Sequence, residues 1–593
     1  MLSLPHQSSN APSEEDYQRW LTTRDSLGED QRSRIKAKYA LLQHKPLISL
    51  VISPNESMLQ PGYLADSIRS ISNQIYEEWE LIIPASAGLS SGMQQLALAS
   101  FLADSRVKTV AVSETTSFNA TTNSALLKCS GDFVGFVFPG DQLSDDALYQ
   151  VVIRIAADYP DLAFTDEDSI NSAGYRSRPK FKPGWDRDLL LSGDYIGGLT
   201  LFRRELIQEL GFLRQDTDDL AYWDLLLRAA VVTTDDRVRH IPIVCYHRRE
   251  REEQLLHCSA ARTFPKPDDI TTATRILREH FESCGEPAAG FSLVGSGPSY
   301  IRVERSVPDP PPMVSVIMPT RDQMKFLQCC TEGILSQTNY APLELLIIDN
   351  DSQQPDALDF LSQIAKDSRV RVLRYPGKFN YSAMNNAAAR EANGEVLLFL
   401  NNDIQIISPD WLRELVSQIV RPEVGAVGAK LLYPDWRIQH AGVLLGPSDT
   451  GWVVTHFGRF AQRFDDGYQG QLAVPRSPSA VTGACLGIRH ELYDLVGGFD
   501  EVHFPVAFND IDLCLRLGDW GYKILWTPYA ELIHHECVSR KGDQSDNLPV
   551  SYSENHEHEY FRAKWGKLVE GGDPFNNPNL LFDWREGSRA SRE

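Results

Sequence analysis

The sequence has no apolar run approaching the ~18 residues needed to cross a bilayer as a helix, so any membrane contact is expected to be peripheral. It lacks paired cysteines at metal-type spacing. The nine are scattered, and Cys329 and Cys330 are adjacent, which excludes a disulfide framework and fits a reduced cytoplasmic compartment. Basic charge is scarce. The 58 Lys and Arg face 80 Asp and Glu, and the net charge of −22 argues against a general nucleic-acid binder. Arg32, Arg34, Lys36 and Lys38 make one basic cluster, read as a solvated helix face. No G-x-G-x-x-G follows an opening apolar run and no G-x-x-x-x-G-K occurs, which disfavours a dinucleotide oxidoreductase and a P-loop enzyme. The first 16 residues are polar, without an apolar signal core.

At 593 residues the chain exceeds a single core. Residues 1–12 read as disordered, and 13–43 carry helical spacing at Tyr17, Trp20, Leu21, Ile35, Tyr39 and Leu42, giving a disordered or helical segment over 1–45. The texture changes at Pro46, where Leu47 to Ile52 reads as a buried strand. The same change recurs at Met313 to Met318, after the proline-rich linker Pro308 to Pro312. The expected domains are 46–260 and 313–545, joined by a connecting segment over 261–312 and followed by a helical or extended tail over 546–593.

The two domains carry one pattern. Phe133 to Val137 runs into Phe138-Pro139-Gly140-Asp141, and Val396 to Leu400 runs into Asn401-Asn402-Asp403. Gly131-Asp132 precedes the first run and Gly394-Glu395 the second. Ile82-Ile83 matches Ile347-Ile348, and Phe118-Asn119 and Asn123 match Phe379-Asn380 and Asn385, at offsets near 260–266. Asp224 to Arg228 matches Asp512 to Arg516 and His247 matches His534 or His535, at offsets of 287–288. A long-period repeat with one insertion is a duplicated domain. Strands alternating with helix-like stretches give α/β with two tandem, Rossmann-like, mostly parallel sheets.

Acids at the carboxyl ends of buried parallel strands lie where open α/β sheets place ligands. In the second copy these ends are Pro319-Thr320-Arg321-Asp322, Asp349-Asn350 and Asn401-Asn402-Asp403. Taken singly, each acid reads equally as a cap or a solvated turn. Asp510 lies in the first turn of an expected helix, where the dipole favours a carboxylate and a plain cap is the bland alternative. A His pair after a strand, His534-His535, is more often structural than ligating.

Together, in order and spacing, these stretches resemble the family 2 inverting glycosyltransferases with the GT-A fold. Thr482 to Cys485, Val496 to Glu501, Asn509 to Arg516 and His440 to Gly446 add to the likeness. The subgroup resembled is the rhamnosyltransferase-like enzymes of bacterial surface polysaccharide (O-antigen) assembly. The resemblance implies a nucleotide-diphosphate sugar donor (UDP-, dTDP- or GDP-linked), held by Pro319, Thr320, Arg321, Asp349, Asn380, Asn385, Asn401, Asn402 and Asp403. It implies a divalent metal, Mn2+ or Mg2+, on Asp403 with His534 or His535, and Asp510 as the catalytic base. Thr482, Gly483, Asp500 and Asn509 fall on the acceptor side. A glycan or lipid-linked glycan acceptor follows, with peripheral association at the cytoplasmic face of the inner membrane and a homodimer as further expectations. Asn509 stands where the family usually has Glu, and Asn401 where Asp is frequent.

The first copy keeps little of this set. Tyr222 stands in place of Asp510, Ala221 in place of Asn509, and Pro84-Ala85 in place of Asp349-Asn350; only Asp141 and His247 survive. Tyrosine is a poor base at neutral pH. The expectation is a degenerate first domain and a catalytic second one. The alternatives are two active domains, or a non-catalytic carbohydrate-binding scaffold.

Overall fold

The computed structural model describes residues 12–24, 27–53, 61–86, 101–112, 117–250, 269–286, 288–295, 299–448, 451–536 and 556–580. The disorder expected over 1–12 falls, except for residue 12, outside these, as do the expected domain ends at 260 and 545. The backbone divides into two units, one built mainly on residues before 288 and one on Val303–Asn576.

Each unit holds a nine-stranded mixed sheet, and the strand order is the same in both. In the second unit the order is Val370–Arg374, Leu343–Asp349, Val314–Thr320, Val396–Leu400, Cys485–Arg489, Val424–Leu432, Lys523–His534 and Ile404–Ile406. The first unit runs Val107–Val112, Trp79–Ser86, Ile48–Ile52, Phe133–Val137, Thr200–Arg203, Leu162–Ile170, Val238–Arg249 and Gln142–Leu143. The α/β expectation is met, but the sheets are less parallel than expected. The first four strands of each are parallel; Cys485–Arg489 and Thr200–Arg203 then run antiparallel to both neighbours.

The strands form where apolar runs can be buried on both faces. Every residue of Val314–Thr320, Leu343–Asp349 and Val396–Leu400 is buried. Helices such as Trp411–Ile419 cover the sheet, with Trp411, Leu415 and Val416 in its core. The glycine ahead of the fourth strand has a steric cause. A Cβ at Gly394 would lie 2.5 Å from Ser315 N, and one at Gly131 2.6 Å from Leu47 O. In both units that glycine donates its N–H to a strand serine, Ser315 or Ser49, whose hydroxyl in turn donates to Glu344 or Glu80.

The structure shifts the alignment of the copies by one or two residues at three places. Asn123 clasps Leu213 through both its amide groups, as Asn386, not Asn385, clasps Phe499. The N-cap of Tyr381–Ala389 is Asn380 and that of Phe118–Leu126 is Ser117, so Ser117 and not Asn119 is the counterpart of Asn380. Strand register likewise puts Ala85 alone opposite the position of Asp349. Chain slack in the intervening loops hides such short offsets from a comparison of sequences.

Candidate active site

The carboxyl ends of the parallel strands in the second unit converge. Thr320 sits in register with Asp349, and Asn402 Nδ2 donates to Thr320 Oγ1 at 2.9 Å. Pro319 lies within the same strand and Arg321 is exposed just beyond it. Asp349 accepts from Ser352 N at 3.0 Å and from the exposed Arg374 at 2.7 Å. Burial opposes its ionisation, yet the bonds from Ser352 and Arg374 hold it below the usual carboxylate range.

Asp403 lies at the turn after Val396–Leu400, and the short strand Ile404–Ile406 that follows pairs with the end of Lys523–His534. This pairing brings His534 Nε2 to 3.2 Å from Asp403 Oδ1, and Asn401 Nδ2 to 3.4 Å from the same nitrogen. The tautomer of His534 follows from its other contacts. Gln439 donates its amide N–H to the Glu536 carboxylate at 3.0 Å, which turns its carbonyl oxygen toward His534 Nδ1 at 2.7 Å. Nδ1 therefore carries a proton, and Nε2 is the nitrogen that faces Asp403. Asp403 Oδ1 is buried and makes no hydrogen bond. A divalent cation held between His534 Nε2 and Asp403 Oδ1 would be ligated by both. A ligating imidazole that donates its other N–H to a carbonyl is the usual outer-shell arrangement of a metal site.

His535 does not join them. It follows the last residue of the strand, and its Nε2 lies 3.1 Å from Gln405 Oε1 with its ring against Phe326. Of the two histidines expected as alternatives beside Asp403, His534 is the one whose ring faces it. Among the described residues no three His, Cys, Asp or Glu groups converge as a metal site. A metal here would need oxygens from a substrate to complete its shell, as Mg2+ and Mn2+ do with phosphates.

Asp510 occupies the first turn of Asn509–Asp519. Its Oδ2 accepts from Gly483 N at 2.7 Å and its Oδ1 from Ile511 N at 2.9 Å. Tyr381 OH donates to Gly483 O at 2.9 Å, and Asn401 N donates to Ala484 O at 3.1 Å. One loop, Thr482 to Ala484, therefore holds Asp510 and abuts the Asp403 corner. Burial pushes the Asp510 carboxyl above its ordinary value, only partly offset by the Gly483 and Ile511 N–H groups.

Other expected residues have local tasks. Asn380 caps its helix through Ala383 N and donates to Glu501 O. Asn385 donates to Tyr381 O. Asp500 closes its own turn by accepting from Val502 N and His503 N. Asn509 accepts from Asp510 N and donates to Val506 O. Sequence reasoning did not single out Gln439, Glu536, Tyr381 or Arg374. The position of Gln439, next to His440 in a stretch already noted, was the one available signal.

The equivalent positions of the first unit are occupied differently. Arg228 bonds Asp224 and the carbonyls of Leu210 and Phe212, as Arg516 bonds Asp512 and those of Val496 and Gly498, which fixes Tyr222 as the counterpart of Asp510. The Tyr222 ring packs edge-on against Phe136 and Phe138, 4.8 and 5.2 Å between centroids. Strand pairing places His247 where His534 stands. His247 turns to Asp168 at 2.7 Å, and both oxygens of Asp141 are taken, by Tyr246 OH at 2.6 Å and Arg249 N at 2.9 Å.

The model of glycosyl transferase family 2 matches residues 50–211 and 315–494. An uncharacterized protein of Sinorhizobium fredii, y4gI, is 37% identical over 547 residues, 91% of this chain and 58% of its own length. The O-antigen biosynthesis protein RfbC of Myxococcus xanthus is 35% identical over 573 residues, 96% of this chain and 43% of its own length. An N-acetylglucosaminyl-diphospho-decaprenol L-rhamnosyltransferase of Mycobacterium tuberculosis is 26% identical over 240 residues, 37% of this chain and 76% of its own length. The chain spans about half the length of the first two relatives. The repeated sheet and the two matched stretches coincide, and the chain belongs to glycosyltransferase family 2, whose domain it carries twice.

Proposed function

We propose that this chain transfers a sugar, with inversion, from a nucleotide-diphosphate donor to a glycan acceptor in the assembly of a bacterial surface polysaccharide, with the chemistry in the second domain. The observation that carries the reading is the loop Thr482 to Ala484. It bonds a half-buried carboxylate, Asp510, and adjoins the corner where Asp403 and His534 meet. Inverting transfer needs a base for the acceptor hydroxyl as it attacks the anomeric carbon, and neutralisation of the departing diphosphate. Asp510, with its raised affinity for a proton, takes the hydroxyl proton through whichever oxygen edge Gly483 leaves accessible. Asp349 and Arg374 stand at the strand end suited to the base or ribose of the donor. Asp403 and His534 would hold a divalent ion, which supplies Lewis-acid stabilisation of the leaving diphosphate when bound.

The first domain, with Tyr222 among phenylalanines and Asp141 tied on both oxygens, acts through packing or acceptor binding and not through catalysis. The similarity to RfbC supports an O-antigen type of product, and no described helix is long and apolar enough to cross a membrane. The test is nucleotide release from a panel of UDP-, dTDP- and GDP-sugars with Mn2+ and a lipid-linked glycan fraction. Transfer should fall at least roughly 100-fold in Asp510→Asn, the scale of general-base catalysis. Retention of a tenth or more of the activity in that variant would remove Asp510 from the role.

A further inference from the structure

Beside the active-site corner lies an exposed platform of aromatic rings stacked with guanidinium groups. Tyr433 and Phe460 stack with centroids 5.4 Å apart and planes 10° apart. Arg459 lies 4.7 Å from the Phe460 centroid and donates to Tyr433 OH at 2.7 Å. Arg463 sits against two more rings, 4.7 Å from Trp436 and 4.8 Å from Phe464. Trp436 is 45% exposed, Phe460 46% and Phe464 73%. Solvated rings of this size contribute little to folding.

Two of the rings are held outward at a conformational cost. Trp436 and Phe460 both have φ of +69°, the left-handed region that bulky side chains avoid. Each is fixed by the turns around it. Trp436 N donates to Tyr433 O, and Phe460 N donates to Ile438 O. Strain kept at a surface, where it helps to expose an apolar ring, points to use of that ring.

The platform is continuous with the site. Leu432 pairs with Ile533, the residue before His534, and Tyr433 follows directly. Trp436 is three residues from Gln439, the residue that orients His534, or about 10 Å of extended chain.

Charge decides the class of ligand. Arg437, beside Phe460, is paired with Asp435 at 2.7 Å; Arg463 shares Glu531, at 2.8 Å, with Lys430, and Arg459 bonds the neutral Tyr433 hydroxyl. The chain as a whole carries −22. A polyanion or an anionic lipid surface gains little from such a patch. A neutral sugar matches it: its C–H face suits the electron-rich ring faces, and its hydroxyls suit the guanidinium edges.

We infer that Trp436, Phe460 and Phe464, with Arg459 and Arg463, form a subsite for the uncharged sugars of an extended glycan acceptor, away from the reacting hydroxyl. This rests on the reading of the second domain as a transferase, and it adds where the acceptor chain lies. The full chain, without donor, is applied to an array of neutral bacterial-surface oligosaccharides and, separately, to phosphatidylglycerol vesicles. At least one array glycan should bind. Trp436→Ala and Phe464→Ala should each weaken that binding tenfold or more, as truncation of a buried interface aromatic does. Trp436→Phe should keep it within about threefold, and Mn2+-dependent GDP or UDP affinity should not change in any of the three. Absence of array binding, equal binding by both alanine variants, or vesicle binding that disappears in those variants would each overturn the assignment. Because the readout is binding without donor, it stands apart from the loss or retention of transfer in Asp510→Asn.

Discussion

Asp510 Oδ2 accepts the Gly483 N–H at 2.7 Å, so the carboxylate is aimed by a loop and not by its own helix alone. Burial raises its pKa above the ordinary 3.8. A carboxyl whose folded-state pKa is raised stabilises the fold below its unfolded value and loses that contribution as pH rises through the folded value. At neutral pH the charged Asp510 therefore detracts from stability. Asp510→Asn removes the charge but keeps an oxygen for only one of the Gly483 and Ile511 N–H groups, and these two effects oppose each other. The expected outcome is a thermal midpoint at pH 7.5 close to that of the parent, together with lost transfer. The acid limb of the parent's kcat/KM profile should turn over above pH 3.8. A clearly lower midpoint in the variant would contradict the electrostatic reading.

His534 and His535 are adjacent but should behave differently toward metal. Only His534 faces Asp403, and Gln439 and Glu536 fix its tautomer. In Mn2+-dependent nucleotide binding followed by calorimetry, Asp403→Ala and His534→Ala should remove the metal dependence. Gln439→Ala should weaken metal affinity by roughly 10–100-fold, the usual loss when an orienting partner is deleted. His535→Ala should change it by less than about threefold. A loss in His535→Ala equal to that in His534→Ala would refute this choice.

These two contrasts mark where sequence reading stops. The sheet was legible because buried parallel strands are written as unbroken apolar runs, and the acid after such a run marks a ligand-facing turn. Asp510 was legible only through its ordered company. The partners that aim these groups were not: Gln439 reaches His534 across 95 positions, and Gly483 reaches Asp510 across 27. Nor does sequence separate an asparagine that binds a ligand from one that binds backbone. Asn380, Asn386 and Asp500 sit at family positions and spend their polar atoms on caps and turns. The repeat slipped by one residue where loops differ by one, as in Asn401 to Asp403 against Phe138 to Asp141.

His440 and His456 form a second histidine pair, Nδ1 to Nδ1 at 2.8 Å, and His440 Nε2 accepts from Gly442 N and Thr482 N. The pair thus supports the loop that holds Asp510. Burial holds both rings neutral, pushing His440 well down and His456 to about 4. Groups with lowered folded-state pKa give stability that is full above the unfolded value near 6.5 and is lost as pH falls toward the folded value. Denaturant unfolding should therefore show a loss on the order of 2 kcal/mol between pH 7 and pH 4.5. In His456→Phe that slope should shrink. An unchanged slope in this variant would mean that other groups carry the acid sensitivity.

Asp141 provides a test of the proposal that the first domain is degenerate and the second active. Its two oxygens accept from Tyr246 OH and Arg249 N, and the neighbouring Phe138 ring packs on Tyr222. Each oxygen of this buried carboxylate already accepts one hydrogen bond from its own fold, whereas Asp403 Oδ1 accepts none. Asp141→Ala leaves a buried hydroxyl and a buried N–H without their acceptor, which costs about 1–3 kcal/mol each. The variant should unfold at lower denaturant, while transfer per folded molecule stays within about twofold of the parent. The paired change Asp403→Ala, at the equivalent turn of the second domain, should do the reverse, removing transfer with a small effect on stability because Asp403 Oδ1 makes no hydrogen bond. If Asp141→Ala instead abolished transfer without loss of stability, the first domain would hold chemistry of its own. The two substitutions at matching turns therefore read out, one against the other, which copy of the fold has kept its carboxylate for a ligand and which has spent it on its own backbone.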